Sequence, residues 1–263
     1  MSNYETLTVE RDGHVARVCF NRINNMNSFN TMMRREFVAA AREVNVDKNV
    51  RVVVLGANGR AFSAGADLAE DNSGFDDGQA VEDILNFEYK PGILSIADSP
   101  KPWIAAINGP CAGIGYSYAM ACDLAIMADN AFLYQPFAAI GLIPDGGSTW
   151  LLPQLVGSKR AYELMMMGEK LQPENALALG MVNRVVAADD LADAAMAWAQ
   201  QLASKSPLAL SYTKELVRYA SEHSLAESIT QEARLQKSCI DSEDARNAVI
   251  AFFEKRTPEW QGK

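Results

Sequence analysis

The 263-residue sequence is short of positive charge, of histidine and of long hydrophobic runs, and each shortage excludes a class of protein. It carries 24 Lys and Arg against 33 Asp and Glu, which gives a formal net charge of −9. A general nucleic-acid binder needs a basic surface, so that class is excluded. The 2 histidines, His14 and His223, are too few for a histidine-rich metal centre, and no metal site is predicted. No apolar run reaches the roughly 18 residues that a membrane span requires.

The spacing of the cysteines and the first residues of the chain predict a cytoplasmic location. Cys19, Cys111, Cys122 and Cys239 are scattered and form no C-x-x-C pair, which is typical of reduced thiols. Residues 1–6 contain neither a basic nor an apolar stretch, so no signal peptide is expected. With 49% hydrophobic and 22% charged residues, the chain can bury a large core. We therefore expect a globular cytoplasmic protein that binds neither nucleic acid nor membranes.

Strands and helices are predicted to alternate along the first part of the chain. Predicted strands cover residues 6–10, 15–20, 50–56, 102–108 and 124–128. The first two form a hairpin around Asp12-Gly13, while the next two are almost continuously apolar, as in strands covered on both faces. Apolar residues at helical spacing predict a helix over 31–45, and from Lys159 onward the pattern is mostly helical. The sequence thus predicts an α/β protein with a helical C-terminal part.

An acidic segment interrupts this alternation at residues 67–89. Its acidic side chains are Glu70, Asp71, Asp76, Asp77, Glu82 and Asp83. Together with its glycines, they predict a mobile surface loop that contains a short helix. We interpret these charges as a solvated face rather than as a binding surface.

Two glycine-rich turns could bind a developing negative charge. The turns Ser63-Ala-Gly-Ala-Asp67 and Gly109-Pro-Cys-Ala-Gly-Ile-Gly115 each follow a predicted buried strand. Small side chains let a ligand approach the backbone N–H groups, and the second turn opens a helix, whose N-terminus favours negative charge. Two such turns could each direct one N–H at a single oxygen, which is the geometry of an oxyanion hole. Taken alone, either turn could instead be a tight packing turn.

A third turn contains Asp145, in Gly141-Leu-Ile-Pro-Asp-Gly-Gly-Ser-Thr-Trp150. The apolar residues Leu142, Ile143 and Trp150 on its two sides predict a partly desolvated carboxylate. Desolvation raises the pKa of a carboxyl group and makes it a stronger base. Taken alone, however, the turn favours an aspartate that caps a helix beginning near Ser148.

Two further motifs overlap the second glycine turn. Gly113-Ile-Gly115 begins like a dinucleotide fingerprint, but Tyr118 stands where that motif needs a third glycine or alanine. Gly115-Tyr-Ser-Tyr-Ala119 is similar to a loosened G-x-S-x-G turn with Ser117 as the nucleophile. That chemistry would need His223 as its base, and a serine hydrolase is kept as an alternative class.

Several segments agree in order and spacing with one known family. They are Ala61-Phe-Ser-Ala-Gly-Ala-Asp-Leu68, Lys101-Pro-Trp-Ile-Ala-Ala-Ile-Asn-Gly109, Ala121-Cys-Asp-Leu-Ala-Ile126, Gly141-Leu-Ile-Pro144 and Ala251-Phe-Phe-Glu-Lys-Arg-Thr-Pro258. Together they resemble the enoyl-CoA hydratase/isomerase (crotonase) superfamily over essentially the whole chain. The resemblance implies an α/β spiral of ββα units over residues 1–200. It also implies a C-terminal helical region over residues 201–263 that packs homotrimers or homohexamers.

The resemblance implies an acyl-CoA thioester as substrate and assigns roles to five positions. The oxyanion N–H groups fall on Ala66 and Ile114, which would hold the thioester carbonyl oxygen as it becomes an enolate. Arg22 and the backbone near Met26 would contact CoA, and Ala64 matches a position whose backbone meets the adenine. Because CoA is carried by the substrate, no separate cofactor is expected.

The sequence departs from the hydratases of this superfamily where they carry two glutamates, since Ser117 and Phe137 stand there. Asp145 instead matches an acidic position of Δ3,Δ2-enoyl-CoA isomerases and of ring-opening isomerases of phenylacetate degradation. The resemblance therefore implies an acyl-CoA isomerase with Asp145 as base, in an apolar pocket near Phe137, Trp150 and Tyr116. A hydratase that relies on Asp145 alone and a catalytically silent CoA-binding scaffold are kept as alternatives.

Overall fold

The computed structural model describes residues 4–70 and 77–262, and a six-stranded sheet lies at the centre of this part. The described strands are β1 (Leu7–Asp12), β2 (Val15–Phe20), β3 (Val52–Ala57), β4 (Trp103–Ile107), β5 (Pro110–Ala112), β6 (Leu124–Ala128), β7 (Phe132–Tyr134) and β8 (Arg184–Val186). The large sheet has the order β1-β2-β3-β4-β6-β8, in which β1 is antiparallel to β2 and the other pairs are parallel. Strands β5 and β7 pair in parallel as a small second sheet.

Helices follow the strands and form most of the chain after residue 147. They are α1 (Thr31–Val46), α2 (Gly78–Ile84), α3 (Lys90–Ala97), α4 (Ile114–Met120), α5 (Ser148–Val156), α6 (Ser158–Met167), α7 (Pro173–Ala178), α8 (Leu191–Ala203), α9 (Pro207–Ala220), α10 (Leu225–Ile240) and α11 (Glu243–Phe253). One π-helical turn, Leu85–Tyr89, joins α2 to α3. The predicted hairpin and the predicted helix over 31–45 are confirmed to within a few residues.

The central strands are buried on both faces, as their apolar runs predict. All residues of β4 are buried, and since alternate side chains of a strand point to opposite faces, both faces of the sheet must be covered. Helix α8 crosses β2, β3, β4 and β6, and α1 packs against β1 and β2. The sheet therefore forms a rigid support for the loops at its edges.

An aromatic cluster under the carboxyl end of the sheet supports the turns that carry the site. Phe29 stacks on Tyr118 of α4 with ring centroids 4.7 Å apart, and Phe20 meets Phe29 edge-on at 5.0 Å. The Phe29 backbone N–H donates to Gly65 O at 2.8 Å, and the Asp67 N–H donates to Phe29 O at 3.0 Å. The turn at Gly65 is thereby fixed to the hydrophobic core.

The acidic segment differs from the sequence-based prediction. From Gly78 to Ala97 the chain is continuously helical through α2, the π turn and α3, so the short helix is longer than predicted. Within the predicted segment, residues 71–76 lie outside the described residues. Strands β5, β7 and β8 were not predicted either, because three-residue strands are too short to show alternation.

The C-terminal helices α9, α10 and α11 keep large apolar side chains exposed. These are Val217, Leu225, Ile229, Ile240, Val249, Ile250, Phe252 and Phe253. The predicted division between residues 1–200 and 201–263 stays a prediction, and residue 200 lies inside α8, which packs on the sheet. No helix in the described ranges is long and apolar enough to cross a membrane.

Candidate active site

The two glycine turns predicted to form an oxyanion hole lie side by side. They follow the neighbouring parallel strands β3 and β4, so both emerge at the same edge of the sheet. The Ser63 N–H donates to Pro110 O at 3.1 Å, and the Ala112 N–H donates to Ser63 O at 2.9 Å. Within the first turn, the Gly65 N–H donates to Ser63 Oγ at 3.1 Å. The first turn is thus hydrogen-bonded to the second like a short additional strand.

Gly65 and Gly113 allow the turns to touch. Their φ angles are +102° and +53°, a region that favours glycine. A Cβ atom built on Gly65 would lie 3.4 Å from Ala112 O and 3.7 Å from the Cα of Gly113. The two turns therefore approach each other closely at their glycines, leaving about the width of one methyl group between them.

The residues after these glycines present unused backbone donors. Neighbouring N–H groups are occupied, since that of Asp67 donates to Phe29 O and that of Gly113 donates to Tyr134 O. The N–H groups of Ala66 and Ile114, in contrast, donate to no atom of the described chain. Ile114 is also the first residue of α4, where the helix dipole adds positive potential. The structure brings together the two donors that the resemblance predicted.

A cavity of about 150 Å³ opens in front of these donors. Its lining consists of Ala64, Gly65, Ala66, Leu68, Val81, Ile84, Leu85, Tyr89, Gly113, Ile114, Pro136, Phe137, Ile140, Leu142 and Asp145. Among these described lining residues, Asp145 is the only carboxylate. The remaining walls are largely apolar, so water in the cavity has few groups to bind.

Asp145 lies in this cavity as a desolvated carboxylate. Burial raises its pKa from 3.8 to about 6, opposed only by a hydrogen bond from its own backbone N–H. Its Oδ1 atom is buried and has no hydrogen-bond partner among the described residues. The competing role as a helix cap is wrong, because Gly147 is the N-cap of α5 and no side chain caps that helix. A desolvated carboxylate in the wall of a largely apolar cavity is suited to accepting a proton from carbon.

The groups that desolvate Asp145 differ from those predicted from its sequence neighbours. Ile143 is 79% exposed and Trp150 is 44% exposed, and neither lines the cavity. Tyr116 is buried but also lies outside the cavity lining, so only Phe137 of the three predicted pocket residues is confirmed there. Of the three predicted neighbours, Leu142 lines the cavity beside Asp145, whereas Ile143 and Trp150 point to the surface.

Helix α2 and the π turn supply an apolar wall that was not predicted. Glu70, Asp77, Glu82 and Asp83 are exposed, as expected of a solvated face, but Val81, Ile84, Leu85 and Tyr89 of the same segment line the cavity, so its interpretation as a solvated face alone is incomplete. These positions are spaced by three, one and four residues, which is a helical pattern that the acidic neighbours obscured. A π turn is frequent at functional sites, and here it places Leu85 and Tyr89 on the same wall.

The sequence and fold of the chain match known proteins over nearly their whole length. A family model described as enoyl-CoA hydratase/isomerase matches residues 10–263. The chain belongs to the enoyl-CoA hydratase/isomerase family. The predicted superfamily is thereby confirmed.

Individual relatives of this family include hydratases and an isomerase. A probable enoyl-CoA hydratase of Rhodobacter capsulatus is 35% identical over 261 residues, which cover 99% of this chain and 100% of the relative. A 1,2-epoxyphenylacetyl-CoA isomerase of Escherichia coli K12 is also 35% identical, over 95% of each chain. The crystal structure of an enoyl-CoA hydratase from Bacillus anthracis is 31% identical, covers 98% of this chain and 100% of its own, and superposes with a TM-score of 0.94. The predicted crotonase-like fold is confirmed.

The two positions at which the family's hydratases would carry glutamates hold no acid here. Phe137 is 8% exposed and contributes a ring to the cavity wall, and Ser117 is fully buried beneath it. The Ser117 hydroxyl donates to the carbonyl oxygen of Asp145 at 2.9 Å. His223 is exposed and its Nδ1 pairs with Tyr219 O, so the structure forms no Ser117–His223 pair and gives no support to a serine hydrolase.

The predicted CoA contacts lie near the first oxyanion turn. The Ala64 N–H donates to Met26 O at 2.9 Å, which fixes these two backbones together, and Ala64 is exposed at the cavity rim. Met26 has a φ of 51°, so the chain turns sharply there. The Arg22 guanidinium donates to Ser28 O at 2.5 Å and pairs with Asp67 at 2.8 Å. Arg22 therefore supports the turn in this structure, and its contact with CoA stays a prediction.

Proposed function

We propose that the protein is an acyl-CoA isomerase in which Asp145 moves a proton between two carbons of the bound acyl group. One observation carries this proposal: Asp145 is the only carboxylate among the described residues that line the cavity of the two unused oxyanion donors. Water addition by two carboxylates would need a second acid. A proton transfer from carbon to carbon needs only one carboxylate.

The reaction begins with a 3-enoyl thioester whose carbonyl oxygen accepts hydrogen bonds from the Ala66 and Ile114 N–H groups. The Asp145 carboxylate removes a proton from C2, and the electron pair of that C–H bond delocalises into a dienolate. The protonated Asp145 then returns the proton to C4, which gives the 2-enoyl thioester and restores the base. Each oxyanion donor of this kind contributes about 3 kcal/mol to stabilising such an enolate.

The cavity would favour this proton transfer by excluding water. Its apolar walls keep the Asp145 pKa near 6, so the carboxylate is ionised at neutral pH and still a stronger base than an exposed aspartate. The backbones of Met26 and Ala64 would hold CoA, and Arg22 would join them once it leaves Asp67. Because the substrate carries CoA itself, no separate cofactor is needed. The exposed apolar side chains of α9, α10 and α11 would be covered in a homotrimer or homohexamer.

A ring-type acyl group is a second substrate class for the same groups. The Escherichia coli relative is a 1,2-epoxyphenylacetyl-CoA isomerase by its name, and it matches this chain over 95% of its length. Abstraction of a proton beside the thioester and stabilisation of the resulting enolate would be common to both substrates.

A hydratase is the second candidate function, because the Rhodobacter capsulatus relative is named a probable enoyl-CoA hydratase. In that case Asp145 alone would activate water for addition to a 2-enoyl thioester. The two functions differ in their products, since only hydration yields a 3-hydroxyacyl-CoA. Incubation of a 2-enoyl-CoA in isotopically labelled water therefore separates them.

The base is tested by Asp145→Asn with trans-3-hexenoyl-CoA as substrate. We expect loss of more than about a hundredfold in kcat, because the amide cannot take the C2 proton. Asp189→Asn, which changes an exposed carboxylate outside the cavity, is the matched control and should retain wild-type activity. Activity within about tenfold of wild type would contradict the assignment. Thermal stabilisation by acyl-CoA without any product from the wild-type protein would instead indicate a silent scaffold.

A further inference from the structure

A buried chain of polar groups ends on the main chain of Asp145. Ser117 Oγ lies 2.9 Å from Asp145 O and 2.7 Å from Ser148 Oγ, and Gln135 Nε2 lies 3.0 Å from Ser148 Oγ. The side chains of Ser117 and Ser148 are fully buried, and Gln135 is 3% exposed. None of the three lines the cavity, so they have no direct part in the proton transfer proposed above.

The direction of these hydrogen bonds follows from the number of protons. A serine hydroxyl has one proton to donate, and that of Ser117 is directed at Asp145 O. Ser117 must therefore accept from Ser148, and Ser148, having donated its own proton, accepts from the Gln135 amide. The chain runs one way toward Asp145, and hydrogen bonds in such a series strengthen one another.

The turn after Asp145 also rests directly on Ser117. Gly146 has a φ of +59°, and a Cβ atom built on it would lie 2.7 Å from Ser117 Cβ and 2.9 Å from Ser117 Oγ. The same Cβ atom would collide with Ile114 Cδ1. A side chain at position 146 would therefore collide with Ser117 and Ile114, and only glycine lets the turn lie this close to them.

We propose that Ser117 is the positioning residue of the active-site base, acting through its hydrogen bond to Asp145 O and its close contact with Gly146. The inference rests on the proposed role of Asp145 as the base. The Ser117 hydroxyl fixes the main chain from which the Asp145 carboxylate projects, and the close contact between Gly146 and Ser117 fixes the distance of this turn from α4.

Kinetics of Ser117→Ala test the positioning role, again with trans-3-hexenoyl-CoA. We expect kcat to fall about tenfold to a hundredfold with little change in KM, because a base displaced by about 1 Å loses this much rate while CoA binding is unaffected. The acid limb of the rate profile should move to lower pH, since a loosened turn lets water reach the carboxylate.

A buried serine elsewhere provides the matched control. Ser99 is 5% exposed and donates to Asn45 Oδ1 at 2.7 Å, away from the cavity. Ser99→Ala removes a comparable hydrogen bond, so it should lower thermal stability but leave kcat and the pH profile unchanged. If Ser117→Ala matches Ser99→Ala in both kinetic readouts, the positioning role is refuted.

Two more variants keep the proposal testable. Ser148→Ala removes the proton donor to Ser117 and should give a smaller loss of kcat, and it carries the same test if Ser117→Ala does not fold. Ser117→Glu should also lose isomerase activity, because an ionised carboxylate has no proton to donate to Asp145 O, and isomerase activity near the wild-type level would overturn the positioning role. If Asp145→Asn stays active, Asp145 is not the base and the proposed function fails. If Asp145→Asn is inactive while Ser117→Ala is fully active, only the positioning role of Ser117 is refuted.

Discussion

Replacing Asp145 by asparagine should change how the stability of the protein depends on pH. The folded structure raises the pKa of this carboxyl from 3.8 to about 6 by desolvation. A difference of this size corresponds to about 3 kcal/mol between the ionised and neutral forms. The wild-type protein thus holds a carboxylate that opposes folding by about that amount at neutral pH.

Proton linkage determines whether Asp145 makes the folded state more or less stable as the pH rises. Between pH 3.8 and about 6 the folded state binds more protons at Asp145 than the unfolded state, so its contribution to stability falls as the pH rises. About half of this 3 kcal/mol decrease in the free energy of unfolding occurs between pH 5 and pH 8. Asparagine has no such titration. Any cost of burying its amide is equal at all pH values and drops out of the comparison.

The measurement is thermal or urea unfolding of both proteins at pH 5 and pH 8. We expect the stability of Asp145→Asn, relative to wild type, to rise by about 1.5 kcal/mol over this interval, or roughly 3–6 °C in Tm. Asp189→Asn, which removes an exposed carboxylate instead of a buried one, is the control. A relative stability of Asp145→Asn that stays constant between the two pH values would refute the desolvation argument, whatever its enzymatic activity.

Two further predictions concern catalysis. The kcat/KM of the wild-type enzyme should fall about tenfold per pH unit below about pH 6, where Asp145 takes up a proton, and should level off above that pH. A pH–rate profile checks this. A flat profile between pH 5 and pH 7 would contradict it. Gly113→Ala should lower kcat about a hundredfold or more, because φ +53° and ψ −128° suit only glycine and the Ile114 N–H must move. Gly78→Ala, at a glycine with open space and no positive φ, should remain fully active.

The parts of the site that follow strands could be predicted from sequence. The continuous apolar runs of β3 and β4 fix two neighbouring buried strands, and a glycine turn after each must then lie at the same edge. The meeting of the two turns could therefore be predicted from the residues themselves, whereas the choice of Ala66 and Ile114 within them rested on the family resemblance. The choice of Asp145 as the base rested on resemblance, because the turn alone favoured a helix cap.

The parts that depend on tertiary contacts could not be predicted. Ile143 and Trp150 adjoin Asp145 in sequence but face the surface, while its actual surroundings include Leu85 and Tyr89 from a distant helix. Sequence neighbours of a turn residue point in different directions, so they are a poor guide to what surrounds its side chain. The polar chain behind Asp145 was equally hidden, since Ser117, Ser148 and Gln135 belong to separate elements.

The contact between Gly65 and Gly113 divides the active site into a fixed part and an exchangeable part. Because the two turns lie against each other and are hydrogen-bonded together, the proposed binding point of the thioester oxygen should change little when surface loops are altered. The turn that carries Asp145, by contrast, lies between the exposed Ile143 and the start of α5. An engineer could therefore exchange that turn together with residue 117 to change which protons are transferred, while the two backbone donors proposed to stabilise the enolate are left intact.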